Sequence, residues 1–215
     1  MVAYEPDDWA SIVARGTARR WRPGAVLWRE EEETDHVLAL ESGRVKAVAV
    51  APTGREVLFC IREPGELVGE YSAIDGRPRS ASIVALDAVH GYLLSAAAFN
   101  ELLDERPRIS LHLLRDLAGQ LRQASRSAVD LGTGDIDQRV ARRLLDLAER
   151  FGEYNGGVVA VSLNLTQDDL ASWVGASREA INRSLRSMRE NGHIETGRQR
   201  IMVTDVAGLR SVAGV

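Results

Sequence analysis

Thr166-Gln167-Asp168-Asp169-Leu170-Ala171-Ser172-Trp173-Val174-Gly175-Ala176-Ser177-Arg178-Glu179-Ala180-Ile181-Asn182-Arg183 reads as two short helices meeting at a glycine. Thr166 is placed to accept from first-turn amides that a helix cannot satisfy itself, and Asp168 and Asp169 put negative charge at the positive end of the helix dipole. Leu170, Ala171 and Val174 form an apolar face, Gly175 permits a positive φ, and Ser177 caps a second helix running to about Asn191. That spacing predicts a helix-turn-helix. At roughly 100° per residue, Ile181, Leu185 and Met188 cluster on one side of the second helix, while Arg178, Glu179, Asn182 and Arg183 fan over an arc centred about 130° away. One face packs and the other faces outward.

The outward residue types suit base edges in a major groove: arginine can donate two hydrogen bonds to guanine O6 and N7, and glutamate can accept one from cytosine N4. A helix carrying Arg and Glu is most often only a solvated face. Here the turn spacing is joined by a β-ribbon from Ile194 to Thr204, turning at Gly197-Arg198-Gln199-Arg200, and by six arginines against three acids between Arg178 and Arg200. Thr166, Gln167 and Ser177 stand at the two helix starts. Arg186, Arg189, Arg198 and Arg200 are placed for phosphates, which add affinity without sequence information. The constellation predicts a winged helix-turn-helix that binds double-stranded DNA.

Toward the amino terminus, a helix Ile136 to Phe151 is followed by a turn at Asn155-Gly156-Gly157 leading into a strand Val158 to Val161. Gly132 to Asp135 is the expected hinge. Upstream, from a first-turn Pro107, Leu114, Leu117, Leu121, Ala124, Ala128 and Leu131 recur at alternating steps of three and four, an a/d seam. The opposite face, Arg115, Asp116, Arg122, Gln123 and Arg126, is polar. So narrow a stripe predicts a partner helix and a homodimer; packing on the chain's own sheet is the alternative. Gly119, outside the seam, costs about 1 kcal/mol relative to Ala. The first hundred residues read as short strands without helical period: Ala25 to Trp28, His36 to Leu40, Val45 to Val50, Val57 to Ile61, Leu67-Val68, Ser80 to Ala85 and Val89 to Leu94. Their regular spacing predicts a β-roll of the jelly-roll kind. The expected fold class is α+β, with a roll over 1–106, a dimerisation helix and hinge over 107–133, and the winged helix-turn-helix over 134–215.

Composition narrows the function classes. With 45% hydrophobic and 27% charged residues, 215 residues can bury the cores of one or two domains. The longest apolar runs, such as Val45 to Ala51, are interrupted, here by Lys46, or fall far short of the roughly 20 residues a bilayer span requires, so a soluble, cytoplasmic protein without a membrane partner is expected. Cys60 stands alone, which excludes an internal disulfide and a four-cysteine cluster, and it is read as a small buried hydrophobe. His36, His90, His112 and His193 lack metal-ligand spacing, so no metal is expected. No nucleophile, base and orienting group form a catalytic pattern, and no G-x-S-x-G elbow occurs, so no enzyme activity is expected. A metal-dependent roll enzyme is the competing class, and it would need clustered His and Glu ligands that the strands lack. The net charge of −4 argues against indiscriminate coating of nucleic acid; residues 1–135 carry 16 basic and 21 acidic side chains, and residues 136–215 carry 11 and 10.

Ser177-Arg178-Glu179-Ala180-Ile181-Asn182-Arg183 resembles the S-R-E-T-V-x-R recognition helix of the cyclic AMP receptor protein/fumarate-nitrate reductase regulator (CRP/FNR) family of bacterial transcription factors, and the likeness runs from about Asp7 to Val206. It implies that Arg178, Glu179 and Arg183, with Asn182 beside them, read bases, that Thr166 meets phosphate, and that a dimer reads two TGTGA-like half-sites. Asp168 departs from the pattern, standing where the family often carries a phosphate-contacting Gln. The stretch Gly69-Glu70-Tyr71-Ser72-Ala73-Ile74-Asp75-Gly76-Arg77-Pro78-Arg79-Ser80-Ala81 resembles the family's phosphate-binding cassette.

Its chemistry is intelligible in itself. Arg79 can meet the oxygens of a cyclic phosphodiester with charge-assisted bonds, Ser80 and the Ser80 and Ala81 amides can complete the cradle, Glu70 can accept from a ribose 2′-hydroxyl, and Gly69 allows close approach. The alternative is a turn in which Arg79 merely pairs with Glu70. The expected effector set is Gly69, Glu70, Tyr71, Ser72, Arg79, Ser80, Ala81 and Ser125, with Phe59 and Ile61 lining the base side or belonging to the core. Two further departures stand out: Glu31 replaces a Gly, and Ala124 replaces a Thr. The resemblance implies cyclic AMP as allosteric ligand, no obligatory cofactor, and RNA polymerase as a partner; a regulator that binds DNA without nucleotide, or senses another small effector, is the alternative.

Overall fold

The computed structural model describes residues 4–52, 54–133, 135–197 and 200–215, in two compact units, 1–123 and 124–215. The first unit begins with α1 (Pro6–Ala14) and carries eight strands: β1 (Thr17–Trp21), β2 (Val26–Trp28), β3 (His36–Ser42), β4 (Val45–Val50), β5 (Glu56–Arg62), β6 (Leu67–Val68), β7 (Ser82–Ala85) and β8 (Val89–Ser95). They form two antiparallel sheets of order β1-β8-β3-β6 and β2-β7-β4-β5. A short α2 (Glu70–Asp75) interrupts them, and α3 (Ala96–Glu105) and α4 (Pro107–Thr133) follow.

Strand β3 shows how the roll is filled. Successive side chains point to opposite faces of a strand, yet Val37, Leu38, Ala39 and Leu40 are all fully buried. Leu38 and Leu40 pack with Trp28, Val45, Val68, Ile83 and Val89 between the sheets. Val37 and Ala39 pack on the other side with Ile12, Phe99, Leu102, Ile109 and Leu113 from the helices. The start of α4 is held there by polar contacts too: the His112 ring stacks on Tyr4 at 3.8 Å and its Nε2 lies 3.2 Å from Asp116 Oδ2. The edges differ in character. Edge strand β1 presents exposed Arg19 and Arg20, and the β4–β5 pairing slips register between Ala47 and Val48.

The second unit takes the end of α4 and adds α5 (Ile136–Phe151), β9 (Gly152–Asn155), β10 (Val158–Ser162), α6 (Gln167–Trp173), α7 (Arg178–Glu190), β11 (Ile194–Gly197), β12 (Arg200–Val203) and α8 (Val206–Ala213). Its sheet runs β11-β12-β10-β9. The end of α4 is tied in by an ion pair between Asp130 and Arg142 and by Arg139 Nη1 donating to the Leu131 carbonyl at 3.3 Å.

Several expectations need correction. The first hundred residues do contain helices, α1, α2 and the start of α3, and a further strand, β1. Helix α1 is short, and of its nine residues only Asp8 and Ile12 are buried, so no apolar period shows; α2 has six residues, too few for one. The Asn155-Gly156-Gly157 turn closes a β9–β10 hairpin instead of joining α5 to β10, and α8 was not anticipated. Cys60 is half-buried, not buried. Gly134, in the expected hinge, and Arg198 and Gln199, at the ribbon turn, lie outside the described residues.

Glu31 adopts φ 62, the one positive φ at a non-glycine among the described residues. Its amide donates to the Arg79 carbonyl at 2.8 Å, and the Arg79 amide donates to the Glu32 carbonyl at 3.1 Å, so this left-handed turn is stitched to the cassette. A side chain in that region costs about 1–2 kcal/mol, partly offset by the unfolded-chain entropy that glycine adds. Glu31→Gly should therefore stabilise the protein by about 0.5–1 kcal/mol, measurable by urea denaturation.

Candidate functional site

The cassette folds as the short helix α2 preceded by Gly69, whose φ of 86 lies in the left-handed region. A Cβ there would sit 2.4 Å from Arg79 Nη1, so glycine is required both by the backbone and by the guanidinium beside it. Arg79 is 1% exposed. Its Nε donates to Thr34 Oγ1, its Nη1 to the Gly69 carbonyl at 2.8 Å and its Nη2 to the His36 carbonyl at 2.5 Å. The same group lies 4.4 Å from the centre of the Trp28 ring. Burial draws the guanidinium below its ordinary value, with Glu32, Glu70 and Asp35 opposing, but arginine stays charged.

Glu70 does not pair with Arg79. It is 3% exposed, and its Oε1 lies 3.2 Å from Arg62 Nη2. Burial pushes its carboxyl up and Arg62 pulls it down. Arg62 Nη2 also donates to Gln120 Oε1 at 2.7 Å, an oxygen that accepts from the Tyr71 hydroxyl as well. One network thus joins the end of β5, α2 and the middle of α4. A surface cavity of about 400 Å³ is lined by Glu31, Tyr71, Ser72, Asp75, Arg77, Pro78 and Ser80. The expected effector residues therefore divide: Tyr71, Ser72 and the exposed Ser80 border the cavity, half-buried Ala81 packs against the core between the sheets, and Arg79 and Glu70 are engaged by protein groups. Ser125 is exposed on α4, in the second unit. Ile61 belongs to the buried core, whereas Phe59 is 55% exposed. Arg62, Gln120, Thr34 and His36 were not anticipated. Arg62, a charge closing the apolar run Val57 to Ile61, was the one visible signal.

On α4, Leu114, Leu121 and Leu131 are 62%, 69% and 53% exposed. Ala124 and Ala128 are exposed too, whereas Leu117 is partly covered by the roll core. Ile109 and Leu113 take the roll side, and Leu114, Leu121 and Leu131 face outward.

In the second unit Thr166 Oγ1 accepts from the Asp169 amide at 3.0 Å while Asp169 Oδ2 accepts from the Thr166 amide at 3.0 Å, a reciprocal capping box. Gly175 turns the chain at φ 64, and a Cβ there would meet Leu131 Cδ2 at 2.6 Å. Ser177 Oγ accepts from the Ala180 amide at 3.2 Å and starts α7. Ile181, Leu185 and Met188 are buried, and Arg178, Glu179, Asn182 and Arg183 are exposed together, as the helical arc required. Hydrogen bonds from its own backbone amide and the Ser177 hydroxyl hold the Glu179 carboxyl below its usual range. Arg200 is exposed at the start of β12, and Gln167 at the start of α6. Among the described residues no cluster of three or more His, Cys, Asp or Glu could hold a metal, and no helix is long and apolar enough to cross a membrane.

A roll bearing this cassette, followed by a capped helix-turn-helix with a ribbon, defines the architecture of a transcription regulator. Residues 18–106 match the cyclic nucleotide-binding domain and residues 138–212 the Crp-like helix-turn-helix domain. The chain is 37% identical over 201 residues to the CRP-like cAMP-activated global transcriptional regulator of Mycobacterium tuberculosis, covering 94% of this chain and 90% of that protein. It is 28% identical to a probable transcriptional regulator, flp, of Lacticaseibacillus casei, over 95% and 90% of the two chains. Among solved structures, a CRP-family transcriptional regulator from Thermus thermophilus superposes with a TM-score of 0.77 at 26% identity, covering 92% of this chain and 97% of that one. The fold also matches the c-di-GMP responsive regulator CLP of Xanthomonas campestris, with a TM-score of 0.81 at 21% identity over 93% and 99% of the two chains. The chain belongs to the CRP/FNR family of transcription regulators. The relatives it matches are transcription regulators, not enzymes.

His36 links the cassette to stability. Burial first, and the Arg79 guanidinium second, hold its imidazole below the ordinary 6.5. The unfolded chain therefore takes up this proton first as pH falls, so the stability tied to a neutral His36 is fully present above about 6.5 and is lost below it. Thermal melting between about pH 5 and 7.5 should show that acid-side loss, and His36→Asn should remove this component.

Proposed function

We propose that the protein is a homodimeric, sequence-specific transcription regulator whose roll takes a cyclic nucleotide, cyclic AMP in the first instance, and whose paired recognition helices read a near-palindrome of TGTGA-like half-sites, with RNA polymerase as the downstream partner. The observation that carries the DNA reading is the exposed set Arg178, Glu179, Asn182 and Arg183 on a helix anchored by buried Ile181, Leu185 and Met188. Two such helices must address successive major-groove faces about 34 Å apart, which calls for a dimer; the exposed Leu114, Leu121 and Leu131 supply an apolar row for one. Nucleotide binding is supported by the match of residues 18–106 and by the Gly69–Arg79 approach. When bound, the phosphodiester supplies one negative charge to this end of the roll. Ser80 and Ser72 offer hydroxyls at the cavity, and Arg79 keeps two N–H groups beyond the three it has committed.

A second reading, DNA binding indifferent to nucleotide or control by another effector, is favoured by one observation: three of the five Arg79 donors are already taken by Thr34, Gly69 and His36, and the cavity is bordered by the acidic residues Glu31 and Asp75. Calorimetry with cyclic AMP separates the two. Binding heat, and DNA affinity that responds to the nucleotide, support the first; no heat and constant DNA affinity support the second. Ser80→Ala should weaken cyclic AMP about tenfold to a hundredfold, the loss of a hydrogen bond to a charged group, without altering the melting temperature. Arg79→Ala is the poorer probe, because it would leave three acceptors in a buried place unpaired. Arg178→Ala should cost about 1–3 kcal/mol at one base pair and relax preference there, read by gel shift against single-base variants.

A further inference from the structure

The carboxylate of Asp168, in the first turn of α6, lies 3.3 Å from Arg178 Nη1 at the start of α7, and the two side chains are 66% and 61% exposed. Asp169, its neighbour, is committed to the capping box with Thr166. Other arginines of α7 make different contacts: Arg186 lies 3.8 Å from Glu190 within the same helix, and Arg189 donates to Thr196. Asp168 thus reaches across the helix-turn-helix to Arg178, one of the proposed base readers.

We infer that Asp168 is a specificity-determining residue of the DNA-reading surface, acting through Arg178. Asp168 occupies one edge of the guanidinium and neutralises its charge, while most of its five N–H donors remain available. An exposed ion pair is weak, yet strong enough to compete with one loose phosphate contact, and because it takes a single Nη1 donor it can persist while the other donors of the guanidinium meet guanine. Duplex lacking the guanine therefore gains little from Arg178, and the difference between right and wrong sequences widens. Removing the carboxylate frees Arg178 for any phosphate.

This inference rests on the DNA-reading function proposed above. The test uses full-length protein, a duplex selected by the wild type from a random pool, and a scrambled duplex, each titrated over a range of salt. Asp168→Asn should bind the scrambled duplex about threefold to fivefold tighter, with a smaller change on the selected one. Its log–log salt slope on scrambled duplex should steepen by about 0.9, one released counterion. Adding Arg178→Ala should cancel both changes, whereas Arg178→Ala alone should leave the scrambled-duplex slope unaltered. Asp168→Glu, which keeps the charge, should keep the wild-type discrimination. Equal tightening on both duplexes, or Arg178→Ala flattening the scrambled-duplex slope while Asp168 is present, overturns the inference. A wild type that selects no sequence overturns the DNA-reading function along with it; a selective wild type with an indifferent Asp168→Asn overturns this inference alone.

Discussion

Taking the Arg79 guanidinium out of water is costly, and a buried cation persists only where the protein replaces its solvation. Here the replacement comes from Thr34 ahead of β3, the His36 carbonyl at its first residue and the Gly69 carbonyl at the start of α2, with the Trp28 ring of β2 against it. One side chain therefore ties three separate segments of the roll to its own. The backbone of the same residue bonds to the Glu31–Glu32 turn, so the strained φ of Glu31 belongs to this arrangement as well. The guanidinium has three of its five N–H donors committed to the protein in this way.

The second polar network, Arg62, Glu70, Gln120 and Tyr71, serves a different part of the molecule. It fixes the middle of α4 to the cassette helix, while farther along the same helix Asp130 and Leu131 hold Arg142, Arg139 and the Gly175 turn. A single helix thus contributes to both compact units. At Gly175 the constraint is double, since both the positive φ and the space claimed by Leu131 exclude a side chain.

The helix-turn-helix was legible because its signals are local. Thr166, Gly175 and Ser177 each satisfy a chain-end or turn requirement within a few residues, and the apolar and polar arcs of α7 follow from a fixed angular step. Most strands were legible for a similar reason, through turn residues at regular intervals. What escaped depends on distant partners. Helix α1 is held by Ile12 in the core and by ion pairs of Asp8 and Arg15 with distant Arg106 and Glu105, and α2 is too short to display a period. Nothing local tells that Glu70 will face Arg62 instead of Arg79, because both are candidate partners in sequence and the choice is made by where β5 ends. Glu31 lies between these cases: the missing glycine was visible, and the backbone keeps the glycine-like conformation regardless.

The outermost strands of the roll have a colloidal consequence. An extended strand with free amides and carbonyls is a template on which identical molecules can stack. At β1 the exposed Arg19 and Arg20 make such stacking bring like charges together, and on the opposite sheet the register slip between Ala47 and Val48 distorts the ladder beside terminal strand β5. Both devices discourage fibrous growth, which lets the outward leucines of α4 stay sticky at crowded concentrations without the sheets adding a second, open-ended route to assembly.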